Sequence, residues 1–269
     1  MKCLNIIVFY DNFDEIVLYI NEIVNMKSNN IDVVVVVNKD SKNQVKQVRE
    51  VFEEDFRNRI RIIDFGENVG YLNALLYTIK KIEYKTYRYI ILSNTDIHYN
   101  CNDFFDLLLK TEYNSRIGCI APSVYASKAK SYSNPHYVTR IKKEKLIRLN
   151  HIFAHPILAR FYLCLVKLKS SVKKKDEQDS RFVYSPHGCY MIFTNDFIND
   201  IYGCQYGVKL YSEESYIGEM LIKYGKKCFY DANLKVTHQE SAVTGKLNYK
   251  NRFFEWRRSI DYILNTFYH

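Results

Sequence analysis

No Gly-x-Gly-x-x-Gly follows the first apolar run of this 269-residue chain, and no Gly-x-x-x-x-Gly-Lys-Ser/Thr occurs anywhere in it. Dinucleotide-binding and P-loop readings therefore lose the backbone cradle that holds their phosphates. No Cys-x-x-Cys pair occurs among the seven scattered cysteines (Cys3, Cys101, Cys119, Cys164, Cys189, Cys204 and Cys228), so neither a zinc site nor a disulfide framework is supported. Most of these thiols lie in apolar runs, where they act as small hydrophobes, and a reducing compartment suits them. No stretch approaches the roughly 18 uncharged apolar residues of a transmembrane helix. The amino terminus, Leu4 to Tyr10 stopped by Asp11, reads as a strand and not as a signal peptide, so a cytoplasmic location is expected.

What is present is a folded composition, 47% hydrophobic and 26% charged, on a chain long enough for one large domain. Ile6–Tyr10, Ile31–Val37 with five consecutive valines, Ile60–Asp64 and Tyr89–Leu92 read as buried strands. Helical patterns separate them, from about Asp14 to Met26, from about Lys42 to Phe56 and from Tyr71 to Ile82. This alternation predicts right-handed βαβ units and a doubly wound, mostly parallel twisted sheet flanked by helices. Further strands are expected over Gly118–Val124, Phe182–Phe193 and Lys227–His238, with helices over Asn102–Lys110, from Asn195, from Glu213 to about Tyr224, and over Asn248–Thr266.

The apolar run Tyr89–Leu92 ends in Ser93-Asn94-Thr95-Asp96. Ligands of open α/β sheets gather outside the carboxyl ends of strands, which places Asp96 where chemistry is usually done. On its own the segment reads more readily as a turn or helix cap. Glu213-Glu214, at a helix start, is a second carboxylate cluster, and two acids there also suit the helix dipole.

Several turns in order resemble family 2 glycosyltransferases of the GT-A (nucleotide-diphospho-sugar transferase) fold, especially the bacterial rhamnosyltransferase-like branch. Val8-Phe9-Tyr10-Asp11 is similar to the family's first strand exit, and Val37-Asn38-Lys39-Asp40-Ser41 to its Val-Asp-Asn-x-Ser. Glu67-Asn68-Val69-Gly70-Tyr71 resembles Glu-Asn-x-Gly-Phe, and Leu92-Ser93-Asn94-Thr95-Asp96 resembles Leu-Leu-Asn-Pro-Asp. Leu210-Tyr211-Ser212-Glu213-Glu214, Val236-Thr237-His238 with Ser241, and Phe253-Phe254-Glu255-Trp256-Arg257-Arg258 complete the set.

The resemblance implies an inverting hexosyltransferase that moves a sugar from a UDP- or dTDP-sugar to a glycan or lipid-linked acceptor, as in bacterial cell-surface polysaccharide synthesis. It implies Mn²⁺ or Mg²⁺ held by Asp96 and His238, a choice that an imidazole ligand leaves open. His98, two residues beyond Asp96 on the same face of an extended chain, competes as a ligand. Glu214 matches the catalytic base, with Glu213 beside it raising a pKa by repulsion. Tyr10, Asp11, Asn38, Asn68, Gly70, Asn94, Asp96 and Gly188 are implied on the nucleotide-sugar side. Asn38 stands where the family has an aspartate; its amide oxygen can still accept from a base N3–H, or it can cap the next helix. Gly188, after His187, admits close backbone approach to donor or acceptor, or forms a bulge. Arg257 and Arg258 could reach a diphosphate.

The net charge of +9 is concentrated: Arg140–Lys175 holds eleven lysines and arginines against the single acid Glu144. These interleave with apolar residues, and Pro156 divides the stretch into two expected helices. Peripheral contact with anionic membrane through 141–176, at the inner face of the plasma membrane, and a helical flap over the cleft are both expected readings. Nucleic acid is not expected, since no reader motif accompanies the charge. One GT-A domain is therefore predicted, with 1–124 as the nucleotide-sugar half, 125–181 a basic amphipathic insertion and 182–269 the acceptor and catalytic half. The rivals are a non-catalytic nucleotide-sugar-binding or membrane-scaffold protein, and a nucleotidyltransferase on a similar sheet, whose early Gly-rich basic loop is missing.

Overall fold

The valine run settles the architecture, because successive strand residues point to opposite faces of a sheet. In the computed structural model, which describes residues 1–38, 42–52, 59–172, 176–240 and 249–269, Val34 and Val36 join Leu4, Ile6 and Leu92 in one core. Val33, Val35 and Val37 join Cys3, Ile7 and Phe9 in a second core on the other face. A strand buried on both faces must lie between two helix layers.

The first half runs β1 (Lys2–Phe9), α1 (Phe13–Val24), β2 (Ile31–Val37), α2 (Lys42–Val51), β3 (Ile60–Asp64), α3 (Tyr71–Thr78) and β4 (Tyr87–Ser93). A short β5 (Ile97–Tyr99), α4 (Phe104–Lys110), β6 (Ile117–Ala126) and β7 (Ser131–Tyr132) follow, then α5 (Lys143–Ala154) and α6 (Pro156–Val172). The chain closes with β8 (Arg181–Val183), β9 (Tyr190–Thr194), α7 (Asn195–Asp200), α8 (Glu213–Lys223), β10 (Lys227–His238) and α9 (Tyr249–Phe267). The sheet order is β3-β2-β1-β4-β9-β6-β10-β5, with β7 on β6 and β8 on β10. The long ladders β1–β2, β1–β4, β2–β3 and β6–β10 are parallel. β9 enters antiparallel between β4 and β6, and β5 and β8 lie antiparallel on β10.

The chain winds outward from β1 through β2 to β3, then returns to set β4 on the other side of β1. That reversal opens a crevice at the carboxyl ends of β1 and β4, where loops can part around a ligand. Tyr10 and Asp11 leave β1 there, and Asn94 to Asp96 leave β4.

Two sequence expectations are corrected. Phe182–Phe193 is not one strand: Tyr184–Cys189 leaves the ladder between β8 and β9. Non-local partners hold it out, since Tyr184 N donates to Tyr137 O at 2.9 Å and His187 N to Asn134 Oδ1 at 2.8 Å. β5 is an addition to the expected elements, because a strand of three residues carries no readable period. The helix boundary at Pro156 is as expected, with proline at the first helical position, where its missing N–H leaves no bond unmade. Ahead of these helices Arg140 is tied to the body, forming a two-pronged pair with buried Glu219 of α8, at 2.7 and 2.8 Å. Tyr184 donates to the same carboxylate at 2.8 Å.

Candidate active site

On the donor side, Asn38 is buried at the end of β2, and its Oδ1 accepts from Val69 N at 2.8 Å. The oxygen expected to face a nucleobase thus works inside the protein, tying β2 to the 67–70 turn, because a buried amide oxygen takes the nearest N–H. Asn68 Oδ1 accepts from Gly70 N at 2.9 Å, closing an Asx turn. Gly70 has φ +89°, and a Cβ there would lie 2.4 Å from Lys209 O. Glycine is required twice over, by the dihedral and by the approach of the backbone at Lys209. The turn therefore braces the irregular segment that leads into Glu213-Glu214. Lys39, Asp40 and Ser41 lie outside the described residues, as does Ser241.

β5 explains Asp96. It pairs Ile97 with His238 of β10, and Gln239 N donates to Asp96 O at 2.9 Å. This register sets the buried Asp96 carboxylate beside the imidazole, with Oδ1 3.2 Å from His238 Nε2. Neighbouring ligands on a six-coordinate ion with bonds of about 2.1 Å stand about 3.0 Å apart, so the pair fits a Mn²⁺ or Mg²⁺ ion. Among the described residues no group of three His, Cys, Asp or Glu side chains forms a closed metal site. Water and phosphate oxygens would have to fill the remaining positions. His98 does not join them: its Nδ1 lies 3.0 Å from Glu22 Oε2 on α1. Asn94 is held through its backbone, donating to Cys189 O at 3.0 Å.

Glu213 and Glu214 open α8 after an unusual elbow. Tyr211 and Ser212 both have positive φ, 67° and 61°, a conformation that costs about 1–2 kcal/mol per non-glycine residue. Side chains hold it: Tyr206 OH donates to Tyr211 O, Ser212 Oγ bonds Ser259 Oγ at 2.9 Å, and Tyr211 stacks edgewise on Trp256 at 5.3 Å. The last two partners lie on α9, so that helix serves the site. Arg257 of α9 instead braces α5, donating to Asn150 Oδ1 at 3.1 Å, and Arg258 is exposed.

The elbow divides the two acids. Glu214 is half-buried and its Oε1 accepts from Gly188 N at 3.2 Å; a Cβ on Gly188 would lie 2.8 Å from that oxygen. Gly188 is thus a glycine for the carboxylate's sake, and not a strand bulge. Glu213 is buried, and burial first, then repulsion from Glu214, raises its pKa from 4.5 to about 8. Between pH 4.5 and 8 the folded chain keeps a proton that the unfolded chain has released, so this group lowers stability progressively as pH rises through that window. A tenfold difference in proton affinity between the two states is worth about 1.4 kcal/mol. Glu213→Gln is therefore expected to raise the melting temperature, by an increment that is small near pH 5 and largest above pH 8. A pH-independent increment in calorimetry contradicts this.

One peptide, Gly188–Cys189, joins the two clusters, with Gly188 N on Glu214 and Cys189 O on Asn94 N. The Cys189 thiol is pushed up by burial and then by the charges of Asp96 and Glu214. Tyr71, donating to Cys189 O at 3.4 Å, is raised by burial and then by Cys189, Glu213, Tyr19 and Asp96. Sequence reasoning missed Tyr71 as a wall of the site, although it follows the Gly70 turn. It also missed the imidazoles of His136 and His187: His187 lies 6.1 Å from the His238 ring and 5.1 Å from that of His136. The loop 184–189, expected as strand, is what brings His187 to the other two rings.

A mostly parallel sheet flanked by helices, with Asp96 at the exit of β4 beside His238 of β10 and two acids at the start of α8, has the architecture of the GT-A fold. Residues 5–165 match the family model of glycosyl transferase family 2, and the chain belongs to that family. The solved mannosyltransferase PcManGT from Pyrobaculum calidifontis, in complex with GDP-Man and Mn²⁺, superposes with a TM-score of 0.57 at 11% identity, over 90% of this chain and 58% of its own. GalNAc-T7 with UDP, GalNAc and Mn²⁺ gives 0.59 at 10%, over 88% and 43%. S. aureus TarS 1–349 gives 0.57 at 12%, over 89% and 61%. At such identities the likeness is one of fold, and this chain spans 43% to 61% of the length of those structures. No curated protein matches the sequence.

Proposed function

We propose that the protein is an inverting glycosyltransferase that moves a hexose-class sugar from a UDP- or dTDP-sugar to a glycan or lipid-linked acceptor, within cell-surface polysaccharide synthesis. The carrying observation is the peptide 188–189, which holds the acid Glu214 at one end and the exit strand of Asp96, paired with His238, at the other. In this reading 1–124 forms the nucleotide-sugar half, 182–269 the acceptor and catalytic half, and 125–181 the insertion between them. The Glu214 carboxylate takes the proton of the acceptor hydroxyl. The freed oxygen pair forms the new bond to the anomeric carbon from behind, and the bond from that carbon to the diphosphate breaks, releasing the nucleoside diphosphate. Asp96 and His238 would hold a divalent cation, whose chemistry is to neutralise the leaving diphosphate. Protonated Glu213 spares Glu214 a like charge at close range. Tyr10, Asp11, Asn68 and Asn94 line the crevice at the strand ends as donor contacts, while Asn38 and Gly70 act through the turn they build.

The test is a thermal-shift screen of UDP- and dTDP-sugars with Mn²⁺ or Mg²⁺. One nucleotide-sugar with metal is expected to stabilise the protein, by about 2.7 kcal/mol at a hundredfold excess over its Kd, and to release its diphosphate when an acceptor is added. Absence of any stabilisation across the screen refutes the reading.

A further inference from the structure

No described helix is long and apolar enough to cross a membrane, yet α6 carries the largest exposed apolar stripe among the described residues. Ile157, Phe161, Leu165 and Leu168 follow one helix face at spacings of four, four and three, and are 84%, 64%, 44% and 58% exposed. Leu158, 53% exposed, widens the stripe toward α5. The opposite face supplies the anchor, with Ala159 fully buried. α5 beneath is docked on α9, through Phe153 against Trp256 at 4.9 Å and Phe253 at 6.1 Å. The pair is thus fixed to the body mainly through α5, while α6, which also touches α9, presents its stripe outward. Contiguous exposed apolar surface of this kind marks an interaction site.

Charge says which partner fits. The segment 140–175 holds eleven lysines and arginines against Glu144, and Lys143, Lys145, Arg148, Arg160 and Lys167 are exposed around the stripe. The groove between α5 and α6 adds His151 and His155 beside Arg148 and Ile147. A second copy of this chain, meeting face to face, would bring these cations against one another. A nucleic acid would leave the leucines and phenylalanine unused. We infer that α5 and α6 dock on an anionic lipid bilayer, with the α6 stripe lying in the interface and the surrounding cations at headgroup level. Lys173, Lys174 and Lys175 continue the charge in sequence but lie outside the described residues. The inference does not rest on the sugar-transfer reading, because vesicle binding needs no donor.

The experiment is co-sedimentation of the full chain with vesicles of phosphatidylcholine alone and of phosphatidylcholine with phosphatidylglycerol. Binding to the anionic vesicles is expected to be more than about tenfold stronger, and to weaken with salt. The combined variant Ile157→Ser, Phe161→Ser, Leu165→Ser keeps every charge and replaces only exposed side chains; its melting curve and its response to nucleotide-sugars are expected to match the parent, while anionic-vesicle binding falls at least about tenfold. Lys143→Glu with Arg148→Glu is expected to lose the preference for anionic lipid. Equal binding by the triple-serine variant and the parent overturns the stripe's role, and absence of parent binding to anionic vesicles overturns the inference. So does a concentration-dependent dimer, seen by analytical ultracentrifugation, that the triple-serine variant loses.

Discussion

Glu214→Gln is expected to lower the turnover of sugar transfer by about 10²–10⁴-fold, the range that a positioned general base contributes, with little change in donor KM. The amide retains the shape of the carboxylate, and its oxygen can still accept from Gly188 N, the bond that now spans 3.2 Å. The strained Tyr211–Ser212 elbow and the start of α8 are therefore undisturbed, and the variant is expected to melt with the parent. What is lost is the capacity to take a proton as the acceptor hydroxyl attacks, which exists only in the transition state and so appears in kcat. Glu213→Gln is the contrasting variant. Its carboxyl is buried and held protonated up to about pH 8, so a neutral amide replaces a neutral acid, and transfer at pH 7 is expected to fall less than tenfold. Single-turnover kinetics on both variants decides between them. If Glu214→Gln transfers sugar at the parental rate while Glu213→Gln is dead, the base lies one residue earlier.

The parts of this site that are legible in the sequence are those governed by local rules. The valine run, the polar exit after Leu92 and the turn at Asn68–Gly70 each carry their own signal, in period, composition or dihedral demand. The match of residues 5–165 to the family agrees with where those signals lie. What is not legible depends on contacts far apart in sequence. β5 is only three residues long and exists because β10 lies alongside it; without it the pairing of Asp96 with His238 has no geometric basis. His98 looks equivalent to Asp96 along an extended chain, but Glu22 of α1 takes its imidazole, a packing fact that no strand pattern contains. The family resemblance gives Asn38 a nucleobase contact, whereas its amide oxygen accepts from a backbone N–H 31 residues away. The positive-φ elbow at Tyr211–Ser212 contains no glycine to announce it, and is sustained by Tyr206, Trp256 and Ser259 from elsewhere in the chain. In each case the missing information is tertiary.

Asp96→Ala is expected to abolish metal-dependent donor binding and to reduce transfer by more than about 10²-fold, beyond what loss of an outer partner of a metal ligand costs. The fold is expected to survive, because the bond that registers β5 on β10 near this residue runs from Gln239 N to the main-chain oxygen of Asp96 and is untouched by truncation. His238 then stands as a single imidazole, too weak a site for a hard cation. The parent itself is short of carboxylates: Asn94 occupies the motif two residues before Asp96 and is engaged through its backbone, and no described cluster of three ligating side chains exists. In the proposed reading Mn²⁺ and donor bind as a pair, each improving the other's affinity by the same factor. Calorimetric titration of the parent with Mn²⁺ is expected to show weak binding alone and at least about tenfold tighter binding with UDP or dTDP present, since the diphosphate completes the ligand set. In Asp96→Ala the enhancement disappears, while whatever affinity the nucleotide has without metal remains. Tight Mn²⁺ binding to the parent in the absence of nucleotide would instead point to a further protein ligand, and retention of the enhancement by Asp96→Ala would remove Asp96 from the site.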